Sequence, residues 1–150
     1  LSRTLHHCSW LVLNMALSLA ISLFVVGVVY DLWGFEVSLK TLPILLIAGL
    51  GFYLTTLCYP GIFFLFIVYV GVALVFALGT YIFIAVQKDL PGAWLMATGI
   101  FVSIIAAGIQ ANKSVFLTFI WRFDHNGIYH LVQVVGLLLL LAGLRWSIQH

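Results

Sequence analysis

The chain consists of long apolar runs separated by short polar or glycine- and proline-containing breaks. The runs are continuous and do not alternate with a period of two, so they are typical of membrane-spanning helices and not of membrane β-barrel strands. A helix that crosses the hydrocarbon layer of a bilayer needs about 20 mostly apolar residues. The pattern predicts five spans, at residues 10–30, 42–59, 62–86, 93–110 and 128–144.

The breaks between these spans carry ordinary helix-end and turn signals. Pro43 fits the first turn of the second helix, where a missing N–H costs nothing. Pro60 and Gly61 separate the second span from the third, and a polar turn at residues 88–92 precedes the fourth. Residues 115–121 are apolar but too short to cross a bilayer, so they predict an interfacial or re-entrant segment.

The composition also indicates an integral membrane protein. Hydrophobic residues make up 65% of the 150 residues and charged residues only 7%, whereas a soluble domain has about 25% charged residues. The net charge of +2 excludes a strongly basic nucleic-acid interface. We predict an all-α, polytopic transmembrane helix bundle, a single domain over residues 1–150, whose partners are the lipid bilayer and other transmembrane subunits.

Small residues recur at helical spacing within two of the predicted spans. Gly99, Ser103 and Ala107 are spaced by four in the fourth span, and Ala16 and Ala20 have the same spacing in the first. Small side chains let two helix backbones approach closely in a membrane. We therefore predict that both stripes lie in helix–helix contacts.

Polar residues concentrate at one membrane face. Because five spans alternate in direction, the starts of spans one and five share a face with the ends of spans two and four. That face collects His6, His7, Cys8, Cys58, Gln110, Asn112, Asp124, His125, Asn126, His130 and Gln133. The six Lys and Arg divide evenly between the two faces, so the positive-inside rule gives no orientation.

Two polar stripes begin at this face. The stripe in the fifth span has the spacing i, i+4, i+7: Asn126, His130 and Gln133. The stripe in the first span has the spacing i, i+7, i+11: His7, Asn14 and Ser18. Polar groups inside a membrane normally face the bundle interior, so we expect the two stripes to form a polar network with Gln110 of the fourth span. We expect His130 to face that interior.

Each of these groups also has a purely structural interpretation. His7 fits the headgroup region of the bilayer. Asp124 or Asn126 fits the N-cap of the fifth helix, and His130 and Gln133 fit interhelical hydrogen bonds. The residues alone leave these interpretations open beside a metal or catalytic site.

Residues 123–133, Phe-Asp-His-Asn-Gly-Ile-Tyr-His-Leu-Val-Gln, carry a resemblance to a known pattern. They resemble the F-[DN]-H-N-x-x-Y-H-x-x-Q signature of an uncharacterised family of polytopic, mainly bacterial, membrane proteins, and Gln110 fits the same pattern. That family is distantly similar to the CREST membrane hydrolases, which include the alkaline ceramidases. The resemblance implies further membrane helices before residue 1.

The CREST resemblance implies a zinc site in a helix bundle. On this chain it implies His125 and His130 as zinc ligands, His7 as the candidate for a third ligand, and Asp124 as a catalytic residue that orients a histidine or takes a proton. The spacing His-x4-His departs from the His-x3-His expected there. Residues five apart on a helix point about 140° apart, so one metal can join both histidines only if His125 precedes the helix.

Two function classes remain open. The first is a non-catalytic membrane subunit or scaffold that packs against partner helices. The alternative is a zinc-dependent membrane hydrolase of lipid amide or ester bonds, in which zinc would activate a bound water. Haem held between His7 and His130 is a weaker third interpretation. The short chain offers no loops for a substrate domain, which favours the subunit and leaves enzymatic activity open.

Overall fold

The computed structural model describes residues 3–59, 63–88, 90–112, 117–118 and 122–149, and the side chains of 8–59, 65, 67–88, 90–112 and 124–149. Helices account for nearly all of these residues. They are α1 (Arg3–Trp33), α2 (Phe35–Cys58), α3 (Phe63–Gln87), α4 (Ala93–Ala111) and α5 (His125–Gln149). Each of the five is long and apolar enough to cross a membrane. The predicted all-α class with five spans is therefore confirmed, and the helices indicate an integral membrane location.

A single residue, Gly34, connects α1 to α2. Its φ of +87° lies in a region that residues with a Cβ rarely adopt. Glycine therefore permits the chain to reverse direction here. The Gly34 N–H donates to the Tyr30 carbonyl at 2.8 Å, and the Gly34 carbonyl accepts from the Ser38 N–H at 3.2 Å. The second helix consequently begins at Phe35, well before the predicted start at residue 42.

The prediction that Pro43 lies in the first turn of its helix is wrong, because Pro43 lies inside α2. Proline has no N–H, so the Leu39 carbonyl loses its usual helical donor. The Pro43 side chain is exposed, so its ring does not disturb a helix contact. Near the start of α2, the hydroxyl groups of Ser38 and Thr41 donate to the carbonyls of Phe35 and Ser38 at 2.8 and 3.0 Å.

The segment before α5 contains two short extended pieces, β1 (Leu117–Thr118) and β2 (Arg122–Phe123). They pair antiparallel, with Leu117 opposite Phe123 and Thr118 opposite Arg122. The rest of the predicted interfacial or re-entrant segment lies outside the described residues. Its position in the membrane stays a prediction.

The chain divides into two compact units, residues Leu1–Ala73 and Leu74–His150. The first holds α1, α2 and the first part of α3, and the second holds the rest of α3, the β1–β2 pair, α4 and α5. The predicted single transmembrane domain stays a prediction.

Ser22 joins three helices of the first unit. Its side chain is fully buried, and its Oγ lies 2.8 Å from the Leu45 carbonyl of α2, 2.9 Å from the Tyr69 hydroxyl of α3 and 3.0 Å from the Ser18 carbonyl of its own helix. A serine hydroxyl has one proton, so Ser22 can donate to one carbonyl while accepting from Tyr69. One side chain thereby ties α1 to both α2 and α3.

Gly49 of α2 makes the close approach to α1 possible. A Cβ at Gly49 would collide with Ser22 Oγ and would lie 3.0 Å from the Ser18 carbonyl oxygen. The Phe52 ring, one turn further along α2, stacks on the Tyr69 ring with centroids 4.3 Å apart. Polar and aromatic contacts therefore meet on the same face of α2.

In the second unit, α4 and α5 pack antiparallel with their backbones nearly in contact. A Cβ at Gly99 would lie 2.7 Å from the Gly136 carbonyl oxygen and 2.8 Å from the Leu140 nitrogen. A Cβ at Gly143 would lie 2.8 Å from the Gly92 carbonyl oxygen. Gly92, the residue just before α4, lies seven residues from Gly99, and Gly136 lies seven residues from Gly143 in α5. Seven is the repeat at which a contact face recurs along packed helices.

This packing confirms part of the predicted small-residue stripe and corrects the rest. Gly99 and Ser103 are buried, but Ala107 is exposed and Ala106 takes its place at 0% exposure. The contact face follows spacings of four and then three, because a helix has 3.6 residues per turn. The same prediction for Ala16 and Ala20 is wrong, since both are exposed. The first helix uses its Ser18 and Ser22 face instead.

Candidate functional site

Asp124 is the N-cap of α5. Its Oδ1 accepts a hydrogen bond from the Gly127 N–H at 2.8 Å, and its backbone carbonyl accepts from the Ile128 N–H at 3.0 Å. A carboxylate here pairs a helix N–H that has no partner inside the helix and also interacts favourably with the helix dipole. The capping interpretation of Asp124 is confirmed. The catalytic role stays a prediction, and Asn126 is the second residue of the helix.

His125 and His130 do not meet the condition for sharing one metal. His125 is the first residue of α5, so it belongs to the helix and points about 140° away from His130. Within the described part of the chain, no three His, Cys, Asp or Glu side chains lie where they could hold a metal ion. Within the second unit, His125 and His130 therefore show no shared zinc site, and their roles as zinc ligands stay predictions. The side chains of His6 and His7 lie outside the described ones, so the metal and haem roles of His7 stay predictions.

The His130 side chain is exposed and lies off the α4–α5 contact of the second unit, so the expectation that it faces the bundle interior stays a prediction. Its ring lies beside the Tyr129 ring, with centroids 4.7 Å apart and planes tilted by 56°. Helix α5 contacts α4 at Gly136 and Gly143. Six residues separate His130 from Gly136, which places them about 120° apart around the helix.

Gln133 is the residue of the fifth-span stripe that contacts another helix. It lies about 60° from Gly136 around α5, and its Nε2 donates to Ser103 Oγ of α4 at 3.2 Å. Ser103 Oγ in turn donates to the Gly99 carbonyl at 2.9 Å. The interhelical hydrogen bond predicted for Gln133 is therefore confirmed, with Ser103 as its partner.

The other members of the predicted polar network are Gln110, Asn126 and Asn14. Gln110 and Asn126 are exposed and Asn14 is half-buried. Asn14 and Ser18 belong to the first unit and α5 to the second, so the facing of the two polar stripes stays a prediction. Ser18 is buried, and its Oγ has no hydrogen-bond partner among the described residues.

Comparison with known proteins places the chain in a family. The model of a family of unknown function, DUF6962, matches residues 1–148. The chain belongs to the DUF6962 family. The match includes both compact units, so the α1–α2 and α4–α5 pairs both fall within the family's extent. No curated protein and no solved structure matches the chain.

Several residues that organise this DUF6962 chain were not singled out from the sequence. The α5 glycines Gly136 and Gly143 could be found from the sequence by their spacing of seven. Gly92 and Gly99, just before and within the preceding span, have the same spacing. Ser22 and Tyr69 have no comparable signal. Their contact joins helices far apart in sequence, and a lone hydroxyl in an apolar run does not reveal its partner.

Proposed function

We propose that the chain is an integral membrane subunit or scaffold that packs against other transmembrane subunits. The supporting observation is that some polar side chains of α5 are hydrogen-bonded within the fold while others are exposed. Asp124 and Gln133 are engaged within the fold, one as a cap and one in a bond to α4. Asn126 and His130, one turn apart on the same side of the helix, are exposed. They form the polar surface of α5.

The depth of His130 supports this proposal. Helix α5 has 25 residues, and a rise of 1.5 Å per residue makes it about 37 Å long. This is longer than the roughly 30 Å hydrocarbon layer, so an α5 centred in the bilayer would place His130, five residues from its start, near the inner limit of the headgroup region. A polar group at that depth is costly unless it is paired. A polar group on a neighbouring subunit would pair it, and a lipid headgroup is the competing partner.

The remaining architecture also supports a packing role. The described residues are almost entirely five long helices, with a one-residue connection between α1 and α2. The α4–α5 pair is held by backbone-close contacts at four glycines, an arrangement that suits a rigid pair of helices presenting fixed outer faces. The zinc hydrolase alternative depends on His7, and no contact among the described residues supports it.

A photocrosslinking experiment in native membranes tests the proposal. A photoreactive residue at Val134 lies about 40° from His130 around α5, and one at Val135 lies about 140° away. The two valines are 53% and 50% exposed, which makes Val135 a matched control. We expect a discrete protein adduct from position 134, weakened at least several-fold by His130→Leu, and only lipid adducts from position 135.

Two outcomes would contradict the subunit proposal. Lipid adducts alone from both positions would assign the polar surface of α5 to headgroup contact. A protein adduct of equal strength from both positions, unaffected by His130→Leu, would indicate non-specific collision in the membrane. Thermal unfolding of the His130→Leu protein in detergent should match wild type, since the side chain is exposed, which separates loss of a partner from loss of the fold.

A further inference from the structure

We draw no further inference here: the strongest candidate, the buried hydroxyl cluster of Ser18, Ser22 and Tyr69 between α1, α2 and the first part of α3, already serves to join these helices, and nothing among the described residues shows a ligand that would pair with the Ser18 hydroxyl.

Discussion

A Cβ atom placed on Gly99 would lie 2.7 Å from the carbonyl oxygen of Gly136, which is closer than such contacts occur in proteins. The two helices therefore depend on having no side chain at this crossing. Close approach also brings Ser103 within hydrogen-bond distance of Gln133. Van der Waals packing and interhelical hydrogen bonds both contribute to the association of membrane helices.

Gly99→Leu should destabilise the protein by about 3 kcal/mol, because overpacking a close contact costs about 1–3 kcal/mol and the Gly136 backbone cannot move aside as a side chain could. Gly108→Leu is the matched control on the same helix, since a Cβ at Gly108 has no neighbour within 4 Å. Leu138→Ala, at a side chain that is 59% exposed, should also have little effect. Thermal unfolding in detergent measures all three, and equal midpoints for Gly99→Leu and Gly108→Leu would show that the close contact at Gly99 does not contribute to stability.

Gln133 and Ser103 should be energetically coupled. Interhelical hydrogen bonds in membrane proteins average about 0.6 kcal/mol, with a maximum near 1.7. In a double-mutant cycle of Gln133→Leu and Ser103→Ala, we expect a coupling in that range for the free energy of unfolding. Additive effects of the two substitutions would mean that the 3.2 Å contact contributes nothing. Gln110→Leu, at an exposed position near the C-terminal end of α4, serves as the uncoupled control.

Two serines one turn apart should respond differently to the same substitution. Ser22→Ala removes the hydroxyl that joins α1 to Leu45 and Tyr69, so it should cost about 1 kcal/mol. Ser18→Ala removes a buried hydroxyl that has no partner among the described residues, so it should be neutral or stabilising. Chemical unfolding in detergent compares them. Equal destabilisation by both substitutions would show that the Ser18 hydroxyl is paired in the protein.

Asp124 should stabilise α5 as the N-cap of that helix. Asp124→Ala should cost about 1 kcal/mol, while Asp124→Asn keeps a side-chain acceptor and should cost much less. Hydrogen exchange at the Gly127 amide, the donor to Asp124 Oδ1, should accelerate in the alanine variant and stay near wild type in the asparagine variant. Equal acceleration in both variants would indicate that the carboxylate charge, and not the cap geometry, is what the helix requires.

The fold was more predictable from the sequence than the site. Five spans follow from apolar runs because a bilayer demands length and hydropathy. The start of α2 does not follow from the apolar runs. Gly34 reverses the chain ahead of a polar stretch that resembles a loop in sequence but begins the helix. Which polar residue of α5 meets another helix depends on where the backbones touch. The α5 backbone touches α4 at Gly136, so Gln133 contacts α4 while His130, on the same predicted stripe, is exposed.

The metal content of the purified protein distinguishes the subunit from the zinc hydrolase. One zinc ion needs three protein ligands in a catalytic site, and His125 and His130 point about 140° apart on one helix, with no three-ligand group among the described residues. We expect purified protein to carry well under one equivalent of zinc or iron by elemental analysis, with His7→Ala and His130→Ala unchanged from wild type. One equivalent of zinc that disappears in both variants would overturn the subunit proposal and establish His7 as a ligand. One equivalent of iron with a haem absorption band, lost in the same two variants, would establish haem between these histidines.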